Sequence, residues 1–129
     1  MRDSALIPAF NEAESIASVL IGLRRACPNV PVLVVDDGST DGTAEVAAEW
    51  GAQVLRTRRG GYAHALRSGY QHLHTRGIQR VVQLDADGQH PPEEVPRLLE
   101  QLNGANWVIG SRANTDSPAP LARRAGNAA

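Results

Sequence analysis

Residues 30–50, VPVLVVDDGSTDGTAEVAAEW, hold the pattern on which the fold turns. The valine-rich run over 30–36 shows no alternation of apolar and polar residues, so it reads as a strand buried on both faces. Asp36 and Asp37 stand where that strand becomes loop. Gly38 permits a positive φ there, and Ser39, Thr40 and Asp41 offer side-chain caps to a helix over 43–50. A buried strand that runs through an acidic turn into a helix is one half of a strand-helix-strand unit. The same unit recurs on both sides of it.

Upstream, residues 4–8 (SALIP) form a short apolar strand stopped by Pro8. Residues 12–26 then place Ile16, Val19, Leu20 and Leu23 at helical spacing, with Asn11 as N-cap and Glu14 three residues on. Pro28 and Asn29 stop that helix. Downstream, 52–55 reads as a weak strand, 62–75 as a helix closed by Gly77, and 81–84 as a strand. Pro91 and Pro92 followed by Glu93 and Glu94 make a helix start, with acids at the positive dipole end. Val95, Leu98, Leu99 and Leu102 give that helix an apolar face, and 106–110 (NWVIG) is a fifth strand. Residues 111–129 have no apolar period and read as a loosely structured tail on a single domain, 1–129. Strands alternating with helices predict a Rossmann-like α/β fold: three layers, α/β/α, around a mostly parallel sheet. Such sheets bind ligands at the carboxyl ends of their strands.

Composition narrows the function classes. The 129 residues carry 42% hydrophobic and 21% charged side chains, ordinary globular usage that excludes disordered and fibrous classes. A formal net charge of −1 supplies no general drive toward nucleic acid or an acidic membrane surface. All 13 fixed cations are arginines, suited to forked contacts with carboxylate or phosphate. Cys27 is the one cysteine, which excludes an internal disulfide; its apolar helical setting predicts a buried thiol. The chain shows no apolar run long enough to span a membrane and no secretory leader pattern, so the expectation is a cytoplasmic protein.

Three polar clusters follow three strands: Asn11 with Glu12, Asp36 with Asp37, and Asp85 with Asp87. A parallel sheet brings all three to one edge, where gathered carboxylates repel unless a cation or a set of donors compensates them. Asp85 and Asp87, two apart in LDADGQH, share a face on an extended backbone, and Gly88 lets the chain bring Gln89 or His90 back. Two hard oxygen donors suit Mg²⁺ or Mn²⁺ bridging to a substrate's phosphates; the plainer alternative is a polar turn capped by Asp87. Of the two adjacent aspartates 36 and 37, one exceeds the needs of a cap and is available to a nucleobase or ribose. The run RTRRGG (56–61) ahead of a helix offers the amides of Gly60 and Gly61, with Arg58 and Arg59, as a diphosphate cradle; a solvated surface loop is the alternative. His64, His72 and His74 read as helix surface and flank.

Five ordered segments carry a resemblance: IPAFNEAESI (7–16), VVDDGSTDGT (34–43), GGYAHALRSGY (60–70), QLDADGQHPPEEVPRLL (83–99) and VIGSR (108–112). Together they resemble the family 2 glycosyltransferases, most closely the branch that includes dolichyl-phosphate mannose synthase. The resemblance implies the GT-A fold and sugar transfer with inversion from a GDP- or UDP-linked donor to a polyprenyl phosphate or another glycan or lipid acceptor. By position it implies that Pro8, Ala9, Asn11 and Glu12 line the nucleoside pocket and that Asp36 contacts the base. Asp85 and Asp87 would hold the metal and donor diphosphate as the catalytic pair, with Gln89 as a further ligand. Arg112 and Arg124 match positions facing donor or acceptor phosphate.

Two departures stand out. Relatives carry a basic residue between glycines where this chain reads GGYAHA, which passes a phosphate role to Arg58, Arg59 or Arg67. The family's catalytic domain also continues past the Gly-Ser-Arg segment, so the resemblance implies a truncated chain. Two readings follow: a metal-dependent transferase, peripheral to the inner face of a membrane, or a non-catalytic nucleotide-binding module completed by another chain. Exposed sheet edge predicts a homodimer under either.

Overall fold

The computed structural model describes residues 2–89 and 91–101, together with the backbone of Val108–Gly110 and Ala122–Arg124. The chain runs β1 (Asp3–Ala9), α1 (Ala13–Ala26), β2 (Val32–Asp36), α2 (Thr43–Glu49), β3 (Gln53–Arg56), α3 (Tyr62–Thr75) and β4 (Arg80–Gln83). A 3₁₀ turn at Pro92–Glu94 leads into α4 (Val95–Gln101), and β5 (Val108–Gly110) and β6 (Ala122–Arg124) follow. The sheet order is β3-β2-β1-β4-β5-β6. All pairs are parallel except β5 with β6, so the expected mostly parallel α/β sheet is what forms. Strand β6 falls within the stretch read as a tail.

Successive side chains of each strand face opposite layers. Ala5, Ile7, Val34, Val82 and Leu84 pack with Ile16, Val19, Leu20 and Leu23 of α1 and with Val95, Leu98 and Leu99 of α4. Leu6, Leu33, Val35 and Val81 face Ala65 and Leu73 of α3 on the other side. Helix α3 comes unusually close because Gly69 lies over the sheet: a Cβ there would stand 2.5 Å from Leu6 Cδ1 and 2.9 Å from Val35 Cγ2. At the far end of the sheet the Arg80 guanidinium clasps Asp3 with two bonds, 2.6 and 2.7 Å, and ties β4 to β1 in register.

The chain lays down β1, β2 and β3 in one direction, then crosses to the other side of β1 to add β4. The reversal leaves a crevice beyond the carboxyl ends of β1 and β4, the position at which open α/β sheets bind ligands. Among the described residues no helix is long and apolar enough to cross a membrane. Cys27, read as buried, is only partly so; its thiol donates to the Leu23 carbonyl at 3.3 Å, and burial pushes its pKa up.

Candidate active site

A cleft of about 200 Å³ opens at that reversal, lined by Pro8, Ala9, Phe10 and Glu12 after β1, Asp37 and Arg59 from the neighbouring loops, Tyr62 and Ala65 of α3, and Asp85, Ala86 and Asp87 after β4. The structure therefore brings together seven of the residues singled out in the sequence: Pro8, Ala9, Glu12, Asp37, Arg59, Asp85 and Asp87.

Asn11 is placed otherwise. It does not cap α1, whose N-cap is Glu12; it adopts the left-handed conformation (φ 53°) and turns its carboxamide oxygen to the Thr40 N–H at 2.8 Å. The α1 amides are met from the other loop. Thr43 Oγ1 accepts from the Glu12 N–H at 3.0 Å and Asp41 Oδ2 from the Ala13 N–H at 3.2 Å. Asp41 also accepts from the Thr43 N–H at 3.0 Å, so it alone of the three expected caps serves α2, while Ser39 accepts from the Asn11 N–H at 2.8 Å. Two helix N-termini converge on one polar loop, and Asp41 accepts from the first amides of both.

Asp36 is buried at the end of β2 with Oδ1 receiving the Ser39 N–H at 3.1 Å, and it does not line the cleft. Asp37 is more deeply committed. Its carboxylate accepts from Gly61 N–H at 2.7 Å, Gly60 N–H at 3.1 Å, Thr57 Oγ1 at 2.9 Å and Arg59 Nη1 at 2.8 Å. Burial alone would raise the pKa of Asp37, but bonds from Gly61, Gly60, Thr57 and Arg59 outweigh it and hold the carboxyl below its usual range. This corrects the expected diphosphate cradle: the Gly60 and Gly61 amides point inward to an internal anion and are engaged before any ligand arrives. Gly38 makes the approach possible, with φ +78° and a virtual Cβ only 2.8 Å from the Arg59 backbone nitrogen. Arg58, the other expected cradle residue, is exposed and does not line the cleft. The cation at the cleft is Arg59, whose guanidinium lies 3.6 Å from the Phe10 ring centroid while bonding Asp37.

Asp85 is buried (7% exposed) and Asp87 exposed, both on the cleft wall. The loop carrying them is pinned to α1 by Ser15, whose hydroxyl donates to the Ala86 carbonyl at 2.6 Å. Gln89, expected as a metal ligand, is exposed and turns its backbone N–H to Asp87 Oδ1 at 3.0 Å. Among the described residues no group of three or more His, Cys, Asp or Glu is gathered for a metal. Two carboxylates on one wall of a cleft nevertheless fit a hard divalent cation that keeps waters and shares its remaining positions with phosphate oxygens.

Sequence reasoning passed over a file of polar side chains behind Asp85. Tyr70 donates to Gln83 Oε1 at 2.7 Å, Gln83 Nε2 donates to the Tyr62 hydroxyl at 2.6 Å, and that hydroxyl lies 3.4 Å from Asp85 Oδ1. Burial pushes the Tyr70 phenol up to about 12, so it remains a donor. The available signal was Gln83, a polar residue inside an otherwise apolar strand, two positions before Asp85 and hence on its face. His90, Arg112 and Asp116 lie outside the described residues, as do the side chains of Arg123 and Arg124.

The family model for glycosyl transferase family 2 matches residues 4–127. The chain belongs to that family. An undecaprenyl-phosphate mannosyltransferase of Micrococcus luteus is 43% identical over 118 residues, covering 87% of this chain and 49% of the relative. A polyprenol monophosphomannose synthase of Mycolicibacterium smegmatis is 40% identical over 119 residues, covering 86% and 45%. The solved glucosyl-3-phosphoglycerate synthase of Mycobacterium tuberculosis, in complex with Mn²⁺, UDP and glucosyl-3-phosphoglycerate, superposes with a TM-score of 0.64 at 31% identity, over 78% of this chain and 39% of that one. The fold is thus the GT-A fold expected from the motifs. This family 2 chain spans about half the length of the curated relatives it matches.

Proposed function

We propose that this chain forms the donor-binding side of a transferase that moves a sugar, with inversion, from a nucleoside-diphosphate sugar to a polyprenyl phosphate. The observation that carries the reading is the pair Asp85 and Asp87 on one wall of the cleft at the sheet's reversal. Relatives named as undecaprenyl-phosphate and polyprenol sugar transferases support the acceptor class.

Inverting transfer is an in-line displacement at the anomeric carbon, so the protein must hold donor and acceptor in line and stabilise the charge left on the nucleoside diphosphate. Asp85 and Asp87 would hold a divalent cation, Mg²⁺ or Mn²⁺, which would supply that stabilisation as a Lewis acid. Pro8, Ala9 and Glu12 provide the wall for the nucleoside. Arg59, clamped between Asp37 and Phe10, presents its remaining N–H groups to the donor phosphates. A polyprenyl phosphate attacks as an anion and needs no general base, which fits a cleft whose carboxylates serve cation and loop. Arg112 and Arg124 are proposed to meet phosphate on the donor or acceptor side. The lipid tail of such an acceptor sets the reaction at a membrane surface, proposed here as the cytoplasmic one.

A second reading is a donor-binding module without turnover. One assay separates the two. The chain is incubated with Mn²⁺, undecaprenyl phosphate in detergent, and GDP- or UDP-linked sugar, and lipid-linked sugar is measured. Inverted lipid-linked product supports the transferase; nucleotide binding without product supports the module; neither contradicts both.

A further inference from the structure

Asp85 is held from behind as well as exposed to the cleft in front. Gln83 is 2% exposed, and its amide has a fixed sense: the oxygen can only accept, from Tyr70, and the nitrogen can only donate, to Tyr62. The Tyr62 oxygen, already accepting from Gln83, directs its own proton to an acceptor, and Asp85 Oδ1 lies 3.4 Å away. The file therefore runs in one direction, from the interior of α3 through β4 to the carboxylate. Its two helical members, Tyr62 and Tyr70, are about two turns apart on α3, seated by the close approach at Gly69. Tyr62 itself is 53% exposed and lines the cleft.

We propose that Tyr62 is a positioning residue: its hydroxyl, oriented by Gln83 and Tyr70, fixes the rotamer of Asp85 and so sets the affinity of the cleft for a divalent cation in company with a nucleoside diphosphate. The inference rests on the donor-binding reading above and extends it to residues behind the carboxylate pair.

The test is a Mn²⁺ titration of the full chain at saturating UDP or GDP, followed by the electron paramagnetic resonance signal of free Mn²⁺. Wild type is compared with Tyr62→Phe, Tyr70→Phe and the double variant. Phenylalanine keeps both rings in place, and thermal melts verify folding. Tyr62→Phe is expected to weaken Mn²⁺ binding about tenfold and Tyr70→Phe about threefold, as for loss of a bond to a charged group and of its support. The double variant is expected to match Tyr62→Phe alone, because the proposal routes the effect of Tyr70 on Asp85 through Gln83 and Tyr62. Wild-type Mn²⁺ affinity in Tyr62→Phe, or losses that simply add in the double variant, overturns the proposal. Failure of the wild type to bind Mn²⁺ with either nucleotide overturns the donor-binding reading itself, and this proposal with it.

Discussion

The backbone N–H of Gly61 donates to the carboxylate of Asp37 at 2.7 Å, closing the loop before α3 onto the loop after β2. With Gly60, Thr57 and Arg59 also donating, an almost fully buried anion (1% exposed) becomes the node that shapes one side of the cleft. Asp37→Asn sets an amide NH₂ against these donors and is expected to cost about 2–3 kcal/mol of stability at neutral pH. The folded carboxyl has a lowered pKa, so its stabilisation is complete above the unfolded value near pH 4 and is lost as pH falls through the folded value. Chemical denaturation at pH 7 and pH 3 is expected to show a smaller acid loss in Asp37→Asn than in wild type.

Arg59 joins Asp37 to the Phe10 ring, and its side chain is still 53% exposed. Replacing it with lysine keeps the charge and removes the planar fork. Arg59→Lys is expected to weaken nucleoside-diphosphate binding about tenfold while costing only about 1 kcal/mol of stability. Calorimetric titration beside a thermal melt separates the two effects.

Gly69 is expected to be intolerant for a packing reason. Its virtual Cβ overlaps Leu6 and Val35 in the middle of the sheet, where neither side chain has a free direction to move. Gly69→Ala is expected to destabilise by about 1–3 kcal/mol, despite alanine's better helix propensity, by pushing α3 off the sheet. Urea denaturation measures the loss, and the displaced helix is expected to weaken Mn²⁺ binding as well, through Tyr62 and Tyr70.

The alternation of strand and helix was legible because β1, β2, β4 and β5 centre on apolar residues and α1 and α4 carry clear apolar stripes; β6, with two arginines in three residues, offered no such signal. The Asp85 and Asp87 pair was legible for a similar reason: an apolar strand, two acids at spacing two, then a glycine. What escaped depends on which loops the sheet order brings together. Asp37 and Gly61 are 24 positions apart, and nothing local says that the amides of a glycine-rich helix start face an internal aspartate rather than a ligand. Asn11 looked like a cap for α1 because local spacing allowed it; Asp41 and Thr43, on another loop, took that role once β1 and β2 lay side by side. The file behind Asp85 likewise exists only because α3, packed over β1 and β2, brings Tyr62 and Tyr70 within reach of Gln83 on β4.

The central claim is that Asp85 and Asp87 hold a divalent cation together with a nucleoside diphosphate, and calorimetry of UDP and GDP with and without Mn²⁺ tests it most directly. The account predicts that one of the two nucleotides binds about tenfold or more tightly when Mn²⁺ is present, and that Asp85→Asn removes this gain. Equal affinity with and without Mn²⁺, or a gain that survives in Asp85→Asn, would contradict it.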